Sequence, residues 1–226
     1  LPVSILDDLQ PVDIEEYLSF LTYYEKDGQI YQNHEEGKAR KLATLNTFFG
    51  YFHKKEMIQK NAPSVVDVPR VKEKNIIRLD ANEVAQLIDN IESGEKLTKQ
   101  QKVWHERNKA RDLAIVVTLL GTGVRVTELV GLDLSDLDFD NGAMRVIRKG
   151  GNEDIVYFGE ETEEMLRNYL DERMKMTPAP GHENALFISQ NNTRITVRSV
   201  ERLVKKYAST ATVKKITPHK LRSTYG

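Results

Sequence analysis

The chain has 226 residues and a formal net charge of −1, with 39% hydrophobic and 30% charged residues. That length suits one large or two modest domains, the composition excludes a disordered chain, and no apolar run approaches the roughly 20 residues that cross a bilayer. The absence of cysteine excludes a disulfide framework and a thiolate metal site, and favours a cytoplasmic protein.

The opening third reads as helical. Asp13 is placed to cap the segment Ile14 to Leu21, whose apolar positions recur at helical spacing, and Asp27-Gly28 ends it. A second helix is expected from about Glu35 to Ile58, with Leu42, Leu45, Phe48, Phe49 and Phe52 forming a core stripe. The prolines Pro63 and Pro69 and the charged stretch after them mark an extended connection. The division expected is a helical domain over 1–68, a linker over 69–78 and a second domain over 79–226.

In the second domain Asp80 opens a short helix through Glu83, Leu87 and Ile88. Ser93 to Lys102 reads as a loop, and an apolar helix from Ala110 to Leu120 ends at Gly121 or Gly123. A short strand is expected over Asp138 to Asp140, followed by the hairpin signal Asn141-Gly142. Met144 to Arg148 then pairs with Asp154 to Phe158 around Gly150-Gly151. Helices follow over Glu160 to Met174 and Val197 to Ala208, with Leu186-Phe187-Ile188 as a buried segment between them. The fold class is therefore mainly α, with a small antiparallel β-sheet in the second domain.

Charge distribution says more than net charge. Between Lys38 and Lys60 six cations, among them Lys38 and Lys41, face only Glu56. Between Arg194 and Arg222 nine cations, among them Arg198, Arg202 and Lys220, face only Glu201. Acid concentrates elsewhere, and such segregation fits a polyanion. Lys38, Lys41, Arg148, Arg198, Arg202 and Lys220 are the expected contacts to double-stranded DNA. Each basic run alone is equally explained as a solvated helix face.

Three short motifs carry chemistry. Arg125 follows Gly121-Thr122-Gly123 at a helix start, where a guanidinium offers a fixed fork to two phosphate oxygens, and Glu128 one turn on can orient it. Lys149 stands at a hairpin tip beside two glycines, where an ammonium can project and protonate a leaving oxygen. Thr217-Pro218 opens a further helix, with Thr217 able to cap, on which His219 and Arg222 share a face. Taken singly, each is a common surface feature. The remaining histidines (His34, His53, His105 and His182) show no metal spacing, and no P-loop or dinucleotide fingerprint is present.

In this order the motifs resemble the tyrosine recombinase (phage integrase) family, in an Xer-like or mobile-element form. The resemblance rests on Thr122-Gly123-Val124-Arg125, Glu128, Lys149 and His219-x-x-Arg222, with Leu129, Leu132 and Asp136 around them. It implies a helical core-binding domain, and an α+β catalytic domain that is incomplete at its C-terminus. Its catalytic residues would be Arg125, Lys149, His219 and Arg222, with Glu128 in support. It further implies two domains clasping the duplex, a 3′-phosphotyrosine intermediate without cofactor or metal, and a homo-tetramer on DNA. The family's nucleophilic tyrosine lies beyond the His-x-x-Arg box, and Tyr225 sits where a packing residue is usual. Tyr157, Tyr169 and Tyr207 are read as packing. These 226 residues, which open on Leu1 like an excerpt, are thus expected to bind DNA without cleaving it. The competing expectations are a non-catalytic DNA-binding regulator and a helical adaptor with basic surfaces.

Overall fold

The computed structural model describes residues 3–71 and 77–224, which fall into two compact units dividing between Asn75 and Ile76. Residues 72–76 of the expected linker, and Tyr225, lie outside the described residues.

The first unit opens with a 3-10 turn, Val3–Asp8, and helix α1, Pro11–Phe20. Pro11 takes the first helical position, so Asp13 stands third rather than at the cap, and its carboxylate accepts the Gln10 N–H at 2.7 Å. After α1 comes a hairpin that helical periodicity hid, β1 (Tyr23–Lys26) paired with β2 (Gln29–Gln32). Asp27 and Gly28, at φ 52° and 72°, supply the two left-handed residues of its turn. The strands are mostly exposed on both faces, so they show no apolar alternation to read.

Helix α2, Glu35–Lys54, buries Leu42 and Phe49. Phe48 departs from the expected stripe: it is 48% exposed and packs edge-on against Phe49 and Phe52. The core of this unit is Ile14, Leu18, Leu21, Leu42 and Val66. Asp7 ties its ends together by accepting the Gln59 and Lys60 N–H groups at 2.7 and 2.8 Å.

The second unit is organised around one long helix. Helix α3, Ala81–Ser93, starts with the capping box of Asp80 and Glu83. Helix α4, Lys99–Thr122, is longer than its apolar run, because Thr98 and Gln101 form a capping box ahead of a polar first half that carries no periodic signal. Its second half, from Leu113 to Leu119, is entirely buried. Around it pack α3, α6 (Glu160–Arg173), α7 (Val197–Ala211) and α8 (Pro218–Arg222). Gly121 permits the approach of α6, since a Cβ there would stand 2.4 Å from the buried Thr162 hydroxyl on that helix.

Helix α5, Val126–Gly131, leads into a three-stranded antiparallel sheet of β3 (Leu137–Asp138), β4 (Ala143–Ile147) and β5 (Glu153–Tyr157). Strand β3 is shorter than expected and ends at Asp138, whose carboxylate accepts Asn141 N–H and Nδ2 to shape the turn. The register pairs Met144 with Val156 and Ile147 with Glu153. Residues Ala185 to Ile188 are buried, and the Tyr169 hydroxyl donates to Leu186 O and accepts Ile188 N–H, each at 3.1 Å.

Glu83 links α3 to the segment after α7, accepting from Thr212 Oγ1 at 2.6 Å and Lys214 Nζ at 2.5 Å. The Lys214 and Thr212 hydrogen bonds pull its carboxyl down to about 2. A carboxyl held low stabilises the fold above its ordinary range and ceases to do so as pH falls toward the folded value. Glu83→Gln is therefore expected to lower stability at pH 6 and to match the parent near pH 2, as read by denaturant titrations at the two pH values.

Candidate functional site

The Thr122-Gly123 corner sets the position of Arg125. Gly123, at φ 59°, ends α4 in the left-handed conformation, and the Thr122 hydroxyl donates back to Thr118 O at 2.6 Å. The chain thereby reverses, leaving Arg125 at the entry of α5 with Glu128 three residues on. Glu128 is 95% buried and closes that entry from both sides. Its Oε2 accepts the Arg125 N–H at 2.8 Å, and its Oε1 accepts Arg125 Nη1 at 2.8 Å. Burial by itself pushes this carboxyl up. The hydrogen bonds from Arg125 and Arg148 outweigh burial and hold it below the usual carboxylate range.

Arg125 keeps the rest of its fork open. Its side chain is 53% exposed, and among the described residues only Nη1 has a protein partner. A buried acceptor fixes one arm, and the other arm is free for an oxyanion.

The hairpin reaches the same carboxylate. Arg148 Nη1 donates to Glu128 Oε2 at 2.8 Å and its Nε donates to Asp154 Oδ2 at 3.0 Å. Lys149 follows at the tip, exposed and without an ion pair among the described residues. Gly150 and Gly151 adopt φ of 94° and 85°, conformations that a side chain would strain.

Helix α8 carries the third motif. Thr217 is extended at the cap position, but its hydroxyl makes no cap hydrogen bond; its carbonyl accepts from Lys220 and Leu221 N–H instead. Pro218 and Leu221 are buried, His219 is exposed, and Arg222 is half-buried one turn later. Arg222 Nη1 is buried with no hydrogen-bond partner among the described residues. A buried guanidinium nitrogen left unpaired is costly.

The structure thus joins Arg125, Glu128 and Arg148 directly, and Lys149 is the residue that follows Arg148 in the chain. His219 and Arg222 stand on α8, which packs on α4 and α7, and among the described residues no hydrogen bond links α8 to the Glu128 cluster. Of the residues expected on DNA, Lys41, Arg198 and Arg202 are exposed. The last two lie on the face of α7 away from its buried Val200, Leu203, Val204 and Tyr207. Lys38 is mostly covered and pairs with Glu35 at 2.6 Å, and Lys220 Nζ donates to Lys215 O at 2.7 Å. Tyr169 and Tyr207 are fully buried, whereas Tyr157 is 69% exposed on β5 and so is not a packing residue.

The sequence reading missed a buried polar network between α4 and α7. Asp112 accepts from Arg111 Nη2 at 2.7 Å, from Tyr207 Oη at 3.0 Å and from Lys206 Nζ at 3.5 Å. Because the Tyr207 proton goes to Asp112, its oxygen accepts from His105 Nδ1 at 3.1 Å, which leaves His105 Nε2 as the bare nitrogen. Burial holds the imidazole below its ordinary pKa and pushes the Tyr207 phenol up. The one sequence signal for it was the Arg111-Asp112 pair at the edge of the apolar run.

A sequence profile described as the phage integrase family matches residues 77–226. Tyrosine recombinase XerC of Corynebacterium glutamicum is 33% identical over 195 residues, covering 84% of this chain and 59% of that protein. Tyrosine recombinase XerS of Streptococcus agalactiae is 31% identical over 248 residues, covering 98% of this chain and 68% of that protein. The chain therefore spans only part of the relatives it matches. Among solved structures, the Tn1549 transposon integrase in complex with transposon right end DNA superimposes with a TM-score of 0.71 at 24% identity, over 97% of this chain and 72% of that one.

Proposed function

This chain belongs to the phage integrase family, and from that premise we propose that it is the DNA-handling part of a site-specific tyrosine recombinase acting on double-stranded DNA in the cytoplasm. Residues 1–68 serve as its core-binding domain and residues 79–226 as its catalytic domain. The observation that carries this reading is the Glu128 carboxylate. It pins one arm of Arg125 and holds Arg148, the neighbour of Lys149, so an open guanidinium fork and the hairpin that bears Lys149 are tied to one carboxylate.

Arg125 and Arg222 each hold a nonbridging oxygen of the scissile phosphate. A tyrosine phenol attacks phosphorus: a P–O bond to tyrosine forms and the P–O5′ bond breaks. The phenolic proton passes to His219, and the 5′ oxygen takes its proton from the Lys149 ammonium. Neither Tyr169 nor Tyr207 supplies that phenol, because both hydroxyls are buried and engaged. The phosphotyrosine ester conserves the energy of the broken bond, so the partner strand's 5′ hydroxyl reverses the step without ATP. Lys41, Arg198 and Arg202 neutralise backbone phosphates, and strand exchange takes place in a homo-tetramer on DNA.

The test uses the full-length protein carrying this chain and a nicked suicide duplex bearing its recombination site. A covalent adduct at the 3′ side of the break is expected, with duplex affinity that falls steeply as salt rises. Tight binding with no adduct on any duplex would favour a DNA-binding regulator instead.

A further inference from the structure

Arg148 has the sequence context of a DNA contact, yet its charge is already committed within the protein. Its guanidinium spans two carboxylates, Glu128 on α5 and Asp154 on β5, and its side chain is only 28% exposed. Its backbone closes the hairpin turn as well, with Arg148 N–H donating to Asn152 O at 2.7 Å and Arg148 O accepting from Gly151 N–H at 3.0 Å.

Strand periodicity explains why this position matters. Met144 and Val146 point inward and are buried, and Arg148 is the next residue on that face. The ladder ends at Ile147 opposite Glu153, so the apolar anchoring of the hairpin stops just before the tip. Beyond it come Lys149 and two glycines, a segment with little conformational preference of its own. The Arg148–Glu128 bond is the next link from that end of the hairpin to α5, and it lands on the carboxylate that holds Arg125.

We propose that Arg148 is a positioning residue: it braces the hairpin against the entry of α5 and so fixes where the Lys149 ammonium stands relative to the Arg125 fork. This rests on the reading of Lys149 as the group that protonates the leaving 5′ oxygen. Arg148 itself touches neither DNA nor the reacting atoms.

The chemistry of the leaving group separates this role from others. When sulfur replaces the bridging 5′ oxygen, the P–S bond breaks to release a thiolate that needs no proton. A thiol has a pKa near 8.5, far below that of a water-like hydroxyl. A variant whose only fault is misplaced Lys149 therefore recovers on the sulfur substrate, whereas one that has lost grip on the phosphate does not.

Single-turnover cleavage by the full-length protein is measured on matched oxygen and sulfur duplexes for Arg148→Ala, Asp154→Asn, Lys149→Ala and Arg125→Ala. Arg148→Ala is expected to slow cleavage of the oxygen substrate about 10- to 100-fold, no more than the roughly hundredfold that is the least a lost general acid typically costs, and to come within about threefold of the parent on sulfur. Its duplex affinity should change less than about twofold, because the residue makes no phosphate contact. Asp154→Asn, which removes one arm of the brace at an exposed position, should show a smaller loss with the same recovery. This variant decides the matter if Arg148→Ala fails to fold. Arg125→Ala should stay slow on both substrates.

Equal slowing of Arg148→Ala on oxygen and sulfur, or a marked loss of duplex affinity, would overturn the proposal while Lys149→Ala still recovers. Failure of Lys149→Ala to recover on sulfur would instead remove the reading of Lys149, and the bracing role with it.

Discussion

Arg125→Lys in the full-length protein is expected to lower strand cleavage by at least about a hundredfold while changing duplex affinity only about twofold. The asymmetry follows from geometry. Lysine keeps the charge but offers a single mobile donor point, so it cannot satisfy Glu128 Oε1 with one arm and face a phosphate oxygen with another. Glu128 is 95% buried and would be left with one acceptor short of a partner, which adds local disorder at the entry of α5. Binding depends on many phosphate contacts, and losing the geometry of one alters it little. Matched cleavage and binding curves at one salt concentration decide the matter, and a parallel loss in both would place Arg125 among the general DNA contacts.

The largest expected effect on stability lies away from the site. Asp112→Ala removes the acceptor shared by Arg111, Lys206 and Tyr207, and strands the Arg111 guanidinium, 9% exposed, with Ile188 O as its one remaining partner among the described residues. Breaking a buried pair from one side costs about 3–5 kcal/mol, a large share of the 5–15 kcal/mol that typically holds a domain together. Asp112→Asn retains the shape and one acceptor oxygen and should cost less. Urea titrations report both, and an Asp112→Ala protein within about 1 kcal/mol of the parent would show that the network is not a stability centre.

Local chemistry was legible where one residue type admits few conformations. Asp80 with Glu83, Gly123 after the apolar run, and the Gly150-Gly151 tip all stand where their sequence context places them. What stayed hidden has two physical causes. The β1–β2 hairpin and the first half of α4 are exposed on most faces, so their apolar pattern carries no period. The Asp112–Tyr207 and Arg148–Glu128 bonds join residues 95 and 20 positions apart, and no local pattern encodes a partner at that distance. The residue types of the candidate site were therefore readable, but the commitment of Arg148 to two carboxylates was not.

In the proposed reaction Arg125, Lys149, His219 and Arg222 serve a single phosphate. The most direct measurement is a crystal structure of the full-length protein bound to a duplex carrying its recombination site. It should show one phosphate accepting from the guanidinium groups of both Arg125 and Arg222, with Lys149 Nζ within hydrogen-bond reach of the adjoining 5′ oxygen and His219 on the same group. Four side chains resting on different phosphates, or Arg222 turned away from the duplex, would contradict it.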